Sequence, residues 1–166
     1  MEIEIRHGWS PGLIGEVVRP PPPPPPPAGR FGARFEAKVA REMADFIDRY
    51  AADRDRIFCA VRGEALLGSI TIDGSDPALA AGEAHLRWFI VRDDMRARGT
   101  GRGLMNAALS FLDAAGYGRC FLTTFAGLDA ARHLYESAGF RLVQEAPSTT
   151  WGRRVLEQRF ERVRAR

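Results

Sequence analysis

The chain has 166 residues, 45% of them hydrophobic and 27% charged, which describes one ordinary globular domain large enough to bury a core. Its formal net charge of +3 is too small to argue for a nucleic-acid partner. No apolar run reaches membrane-spanning length and no signal-peptide pattern opens the chain, so no membrane partner and a cytoplasmic location are expected.

Glu2 to Arg6 alternates polar and apolar residues, as a half-buried strand does. Ser10-Pro11 reads as a helix start, with Ser10 as N-cap and Pro11 at the first helical position. That helix stops at eight consecutive prolines, Pro20 to Pro27. Such a run is polyproline II or disordered, never helix or inner strand. It reads as a ligand for a proline-binding module, as a spacer, or as an anomaly foreign to the rest of the chain. Phe35 to Tyr50 carries helix-spaced apolar residues. Arg56 to Arg62 and Ala65 to Asp73 form a strand pair across a tight turn at Gly63-Glu64. Gly68, inside the second strand, marks a bulge or a close backbone approach.

Glu83 to Val91 is the next strand, and the most informative stretch follows it. Arg96, Arg98, Gly99, Thr100, Gly101, Arg102 and Gly103 lie between that strand and an apolar helix from Leu104 to about Gly116. Glycine lets an anion approach the main chain, and the first amides of a helix attract negative charge. The loop lacks the Lys-Ser/Thr ending of a nucleoside-triphosphate loop and the third glycine of a dinucleotide loop. Arg119 to Thr124 is a further strand and Leu128 to Ala138 a helix, closed by Gly139. Phe140 to Glu145 and Trp151 to Phe160 make the last two strands. Arg159 to Arg166 reads as a solvated basic end. Cys59 and Cys120 lack metal-ligand spacing and read as buried thiols; no metal site is expected. His133 reads as a surface residue, and Asp129, like Ser10, as a helix cap.

The spacing Arg96-x-x-Gly99-x-Gly101 resembles the acyl-coenzyme A pyrophosphate loop of the GNAT superfamily of N-acetyltransferases. Downstream, Leu134-Tyr135 and Gly139-Phe140 resemble that family's second hallmark, a helix ending Leu-Tyr-x-x-x-Gly-Phe. The matched region runs from about Glu83 to Phe140. The chain is most similar to the acetyltransferase half of bacterial regulators that fuse a MarR-type DNA-binding domain to a GNAT domain, with no room here for the DNA-binding half. The resemblance implies one acyl-CoA N-acyltransferase domain over residues 1–166. It further implies an α/β fold whose mixed, mostly antiparallel sheet of about seven strands is flanked by about four helices, with two strands splaying apart beside the cofactor.

The same resemblance implies acetyl-CoA as cosubstrate and an amine of a small molecule or peptide as acceptor. Amides of Arg98 to Gly103 would hold the pyrophosphate, with Arg96 beside them. Backbone groups of Phe89, Ile90 and Val91 would align the pantetheine arm and polarise the thioester. Tyr135 matches the tyrosine that protonates the leaving sulfur in many members. Glu83, His85, Arg87, Phe89 and Val91 are expected on one face of the strand. His85 or, through water, Glu83 would be the base. Arg87 would pair with a substrate carboxylate or with Glu83. A non-catalytic acyl-CoA-binding module is the alternative, and a homodimer is compatible with either.

Overall fold

The computed structural model describes residues 2–19, 32–96 and 98–165; the run Pro20 to Pro27 lies outside them. Seven strands form one mixed sheet in the order β1-β2-β3-β4-β5-β7-β6. They are β1 Glu4–His7, β2 Arg56–Arg62, β3 Ala65–Asp73, β4 Glu83–Val91, β5 Arg119–Phe125, β6 Arg141–Ser148 and β7 Val155–Val163. Every neighbouring pair is antiparallel except β4 and β5, which run parallel. Four α-helices cover the sheet: α1 Leu13–Val18, α2 Ala33–Asp48, α3 Thr100–Ala114 and α4 Asp129–Ser137. This is the expected α/β architecture.

Each face of the sheet builds its own core. On one side Leu104, Ala108 and Leu112 of α3 pack on Ile70, Ile72, Leu86 and Leu122 of the strands, joined by Tyr135 and Phe140. On the other, Leu13 and Val17 of α1 and Phe35, Val39, Met43 and Phe46 of α2 cover Ile57, Cys59 and Val61. The α2 residues recur every three or four positions, so one apolar stripe meets the sheet. Ile47 and Tyr50 sit at its rim. Both cysteines are buried free thiols.

Gly68 is required by close approach. A Cβ built there would lie 2.7 Å from the Ile90 carbonyl oxygen and 3.3 Å from the Val91 Cα. Because both obstacles are backbone, Gly68→Ala must push β3 and β4 apart. It is expected to cost about 1–3 kcal/mol, the usual range for overpacking, measurable by denaturant unfolding.

Several local expectations are corrected. Helix α1 is capped by Gly12 at φ 86, not by Ser10, whose carbonyl accepts the Leu13 N–H at 3.1 Å; Pro11 therefore precedes the helix. Asp129 is the first residue of α4 and makes no capping bond. The last strands extend past their expected ends, and Pro147 lies within β6. The basic end is a solvated tail only in its exposed last described residues, Arg164 and Ala165: Arg159 to Val163 belong to β7, which is bonded to both β5 and β6. There Arg159 pairs with Glu83 and Glu161, and Arg162 with Asp113.

Candidate active site

Strands β4 and β5 pair over only three positions, Glu83↔Arg119, Ala84↔Cys120 and His85↔Phe121. Beyond His85 they separate, and no further register pair joins β4 to β5 among the described residues. A second irregularity sits in the same place. Ser69 opposes Ile90 and Thr71 opposes Arg87, so β4 spends three residues where β3 spends two. Trp88, at φ 48, is the non-glycine residue with positive φ among the described residues, and this bulge reverses the alternation of the strand.

The expected single face is therefore broken. Ala84 and Leu86 point to the α3 side, as Phe89 and Val91 do after the bulge. Glu83, His85 and Arg87 share the α2 side with Trp88 and Ile90. Trp88 and Ile90 pack there against the α1/α2 core, and Arg87 stacks on the Trp88 ring at 4.3 Å. Phe89 and Val91 thus leave the face that carries His85, because one inserted residue shifts a period-2 pattern by half its repeat.

The glycine loop lies against the α3-side half of the splay. Gly99, at φ 81, caps α3 in the left-handed region. The first helical bond runs from the Gly103 N–H to the Gly99 carbonyl at 2.9 Å. The amides of Thr100, Gly101 and Arg102 precede that bond, where helical geometry supplies no partner. Thr100 is buried and its hydroxyl oxygen has no hydrogen-bond partner among the described residues. A Cβ on Gly101 would stand 3.3 Å from Leu134, 3.4 Å from Phe89 and 3.6 Å from Val91. The bare backbone here faces both β4 and α4. Arg98 and Arg102 are exposed without an ion-pair partner among the described residues, whereas Arg96 is bonded to Asp93 at 2.8 Å. Helix-start amides, a buried hydroxyl without a partner among the described residues and two exposed guanidiniums suit a polyphosphate.

Tyr135 approaches the splay from α4. Its ring packs at 6.1 Å from Phe89, 5.9 Å from Phe160 and 6.5 Å from Phe140. Burial pushes its phenol up to about 12, so the hydroxyl keeps its proton through the physiological range. The helix ends at Gly139, φ 88, with the Phe140 N–H bonded back to the Tyr135 carbonyl at 3.0 Å. His133 is exposed on this helix.

The α2 side of the splay is lined by charges that already hold one another. Asp73, fully buried, accepts both guanidinium nitrogens of Arg49 at 2.7 and 2.6 Å and Arg87 at 3.1 Å. Burial alone would raise its carboxyl, but hydrogen bonds and charge from Arg49, then Arg87, hold it below the ordinary value. Arg87 also reaches Glu42 at 2.9 Å, and Glu42 accepts the Lys38 ammonium one turn earlier on α2. Lys38 lies 4.6 Å above the ring of Trp151, whose indole N–H donates to Glu157 at 2.6 Å. Arg87 therefore faces Asp73 and Glu42, and Glu83 is bonded to Arg159 at 3.3 Å instead. His85 stacks on Phe121 at 4.2 Å, with the Arg159 guanidinium 3.7 Å from the Phe121 ring. Burial, then the nearby positive charge of Arg87, pushes its imidazole down to about 3 despite the opposing Asp73. It stands neutral at physiological pH.

Two clefts of about 370 Å³ each lie elsewhere, at the amino-terminal ends of β4 and β5, beside Ala80 to Glu83 and Gly116 to Arg119. The splay opens at the other end of these strands. The site is therefore placed by the glycine loop and the bulge, not by these clefts. Glu42, Asp73, Trp88, Trp151 and Arg159 have no distinguishing local pattern in the sequence; each acquires its place through partners far along the chain.

A splayed β4–β5 pair stands beside a glycine-capped helix, and the sequence says which family builds this arrangement. The Acetyltransferase (GNAT) family model matches residues 25–140. The chain belongs to that family. Over 121 residues, 70% of this chain, it is 26% identical to human N-acetyltransferase 8; the matched stretch is 52% of that protein, so the chain spans about half its length. Among solved structures it superposes on a ribosomal-protein-alanine N-acetyltransferase from Brucella melitensis with a TM-score of 0.73, at 15% identity, covering 97% of this chain and 99% of the other. A spermidine N-acetyltransferase chimera from Vibrio cholerae gives 0.64 at 16% identity, covering 98% and 96%. These two likenesses establish the fold.

Proposed function

We propose that the chain is an acetyl-CoA-dependent N-acetyltransferase that moves an acetyl group directly to a primary amine of a small molecule or peptide. The observation that carries this is the glycine-capped start of α3, whose first-turn amides at Thr100 to Arg102 precede the first intrahelical bond, set against the splay of β4 from β5. Arg98 and Arg102 would add charge to the diphosphate seat, and Arg96 would flank it. Bound acetyl-CoA supplies the thioester that is attacked. The β4 edge from Phe89 to Val91 can bond an extended amide chain as an added strand would, and can polarise a carbonyl beside it.

On the α3 side, Tyr135 holds a proton at its phenol oxygen and would deliver it to the departing sulfur. On the α2 side, the acceptor must arrive as a neutral amine. A base whose pKa is about 3 is poorly matched to that proton, so His85 acts better as a neutral wall of the cleft. Glu83, through water, is the carboxylate we retain as base on that face. The Arg87 guanidinium serves mainly to hold Asp73 and Glu42 rather than a substrate carboxylate.

Tyr135→Phe should lower kcat about 10²-fold, within the usual range for a lost general acid. Cofactor affinity should stay within a factor of a few. The check is thiol release with a panel of polyamines, small amines and amino-terminal peptides, run beside a binding titration. Unchanged kcat in the variant removes Tyr135 from the chemistry.

One observation favours a second reading, an acyl-CoA-binding regulatory module resembling a detached half of a MarR-type fusion. Among the described residues, the carboxylates of the α2 face are already paired, Glu83 with Arg159 and Glu42 and Asp73 with Arg87, so one must part from its arginine before it can serve an incoming amine. Tight acetyl-CoA binding without turnover on any amine would support that reading.

A further inference from the structure

We propose that Lys38 is an acetylation site of the protein itself, modified in cis by its own transferase centre; this rests on the N-acetyltransferase reading above. Of the 24 residues that are lysine or arginine, Lys38 is the one lysine. A guanidinium stays protonated and offers no nucleophilic lone pair, whereas an amine does once deprotonated. The chain thus has a single side-chain amine, and the fold puts it on the α2 side of the sheet, where Glu42 links it to Arg87.

Three contacts place it. Its ammonium lies over the Trp151 ring at 4.6 Å, an aromatic seat that attracts a cation. It donates to the Glu42 carboxylate, which also receives Arg87 at 2.9 Å. Arg87 is the last residue of β4 before the bulge at Trp88, where the strand has already left β5. The lysine amine is therefore two bonded contacts from the opening of the splay. Its side chain is only about one-quarter exposed, at 26%, covered by Glu42 and Trp151.

The step balances with the groups present and an acyl-CoA thioester as co-reactant. Glu42 takes a proton from the ammonium. The Lys38 nitrogen lone pair forms a bond to the thioester carbonyl carbon, and the carbon–sulfur bond breaks. The sulfur leaves with the bonding pair and is protonated by Tyr135 or water, and the amide nitrogen releases its remaining extra proton to solvent. The product is a neutral amide. It no longer pairs with Glu42, which is left with Arg87 alone, and its attraction to the Trp151 face is lost. Self-acetylation would thereby change the charge of the acceptor half without touching the glycine loop.

The test is incubation of the full chain with acetyl-CoA, followed by intact mass and peptide mapping. Wild type, Lys38→Arg and Gly101→Glu are compared, with calorimetric titration of each. Expected is one acetyl group per chain on Lys38, at a rate independent of protein concentration. Lys38→Arg should melt like wild type and gain none at that peptide, and Gly101→Glu should be modified at least ten-fold more slowly. The proposal is overturned if wild type binds acetyl-CoA and leaves Lys38 unmodified, an outcome that spares the N-acetyltransferase reading. Equal labelling of Gly101→Glu also overturns it, since that is uncatalysed chemistry. Absence of acetyl-CoA binding by folded wild type defeats the N-acetyltransferase reading, and this proposal with it.

Discussion

Replacing Asp73 with alanine is expected to cost about 3–5 kcal/mol, the usual penalty for removing one partner of a buried ion pair. Asp73 is fully buried and holds two arginines from different elements, Arg49 at the end of α2 and Arg87 on β4. Alanine leaves both guanidiniums beside each other without their shared carboxylate, and α2 keeps only the Glu42–Arg87 pair of its two ionic ties to the sheet among the described residues. The folded-state pKa of Asp73 is lowered relative to an ordinary aspartate near 3.9. Its contribution is therefore complete above that value and fades as pH falls through the folded pKa. Urea unfolding of wild type and Asp73→Ala should give a large gap at neutral pH that narrows in acid below about pH 4. A gap that is small, or that widens in acid, would mean the carboxylate is not the counter-charge of this ladder.

Gly101→Glu is expected to weaken acetyl-CoA binding by at least 10²-fold while the protein stays folded. The position lies in the first turn of α3, where helix amides and dipole favour an anion. A carboxylate there supplies the negative charge internally and repels a diphosphate. The new Cβ also meets Leu134, Phe89 and Val91 at 3.3 to 3.6 Å, all side chains that can yield slightly. Gly101→Ala separates the two effects: it adds the Cβ without the charge and should lose far less affinity. Equal losses in the two variants would point to packing between α3 and α4 instead of an anion seat.

The parts of this molecule legible in the sequence are those set by neighbours along the chain. Strands β2, β3 and β4 begin and end where apolar runs meet Gly63, Asp73 and Arg92. The α3 loop and the α4 turn announce themselves because Gly99 and Gly139 occupy backbone conformations that disfavour a Cβ. Gly68 is legible for the same kind of reason, a strand glycine forced by backbone contact. The bulge at Trp88 is not: tryptophan carries no preference for φ 48, and the insertion is imposed by the register with β3. Missing it puts Phe89 and Val91 on the face of His85, when they face Tyr135. The α2-side charges are equally hidden. Arg49 and Asp73 are 24 residues apart, and Arg87 and Asp73 are 14 apart. Nothing local marks them as partners, so Arg87 reads as spare for a substrate when the fold has already engaged it. The arginine-rich end misleads in the opposite direction, since strand pairing with β5 and β6 outweighs its charged composition.

The most direct test of the account is an amide-resolved NMR titration of the full chain with acetyl-CoA. Binding as described should move the amides of Thr100, Gly101 and Arg102 and those of Phe89 to Val91, while the β1–β2 amides remain still. Saturable shifts elsewhere, with these two segments unchanged in a folded protein, would contradict a cofactor seat between the α3 start and the splayed edge of β4.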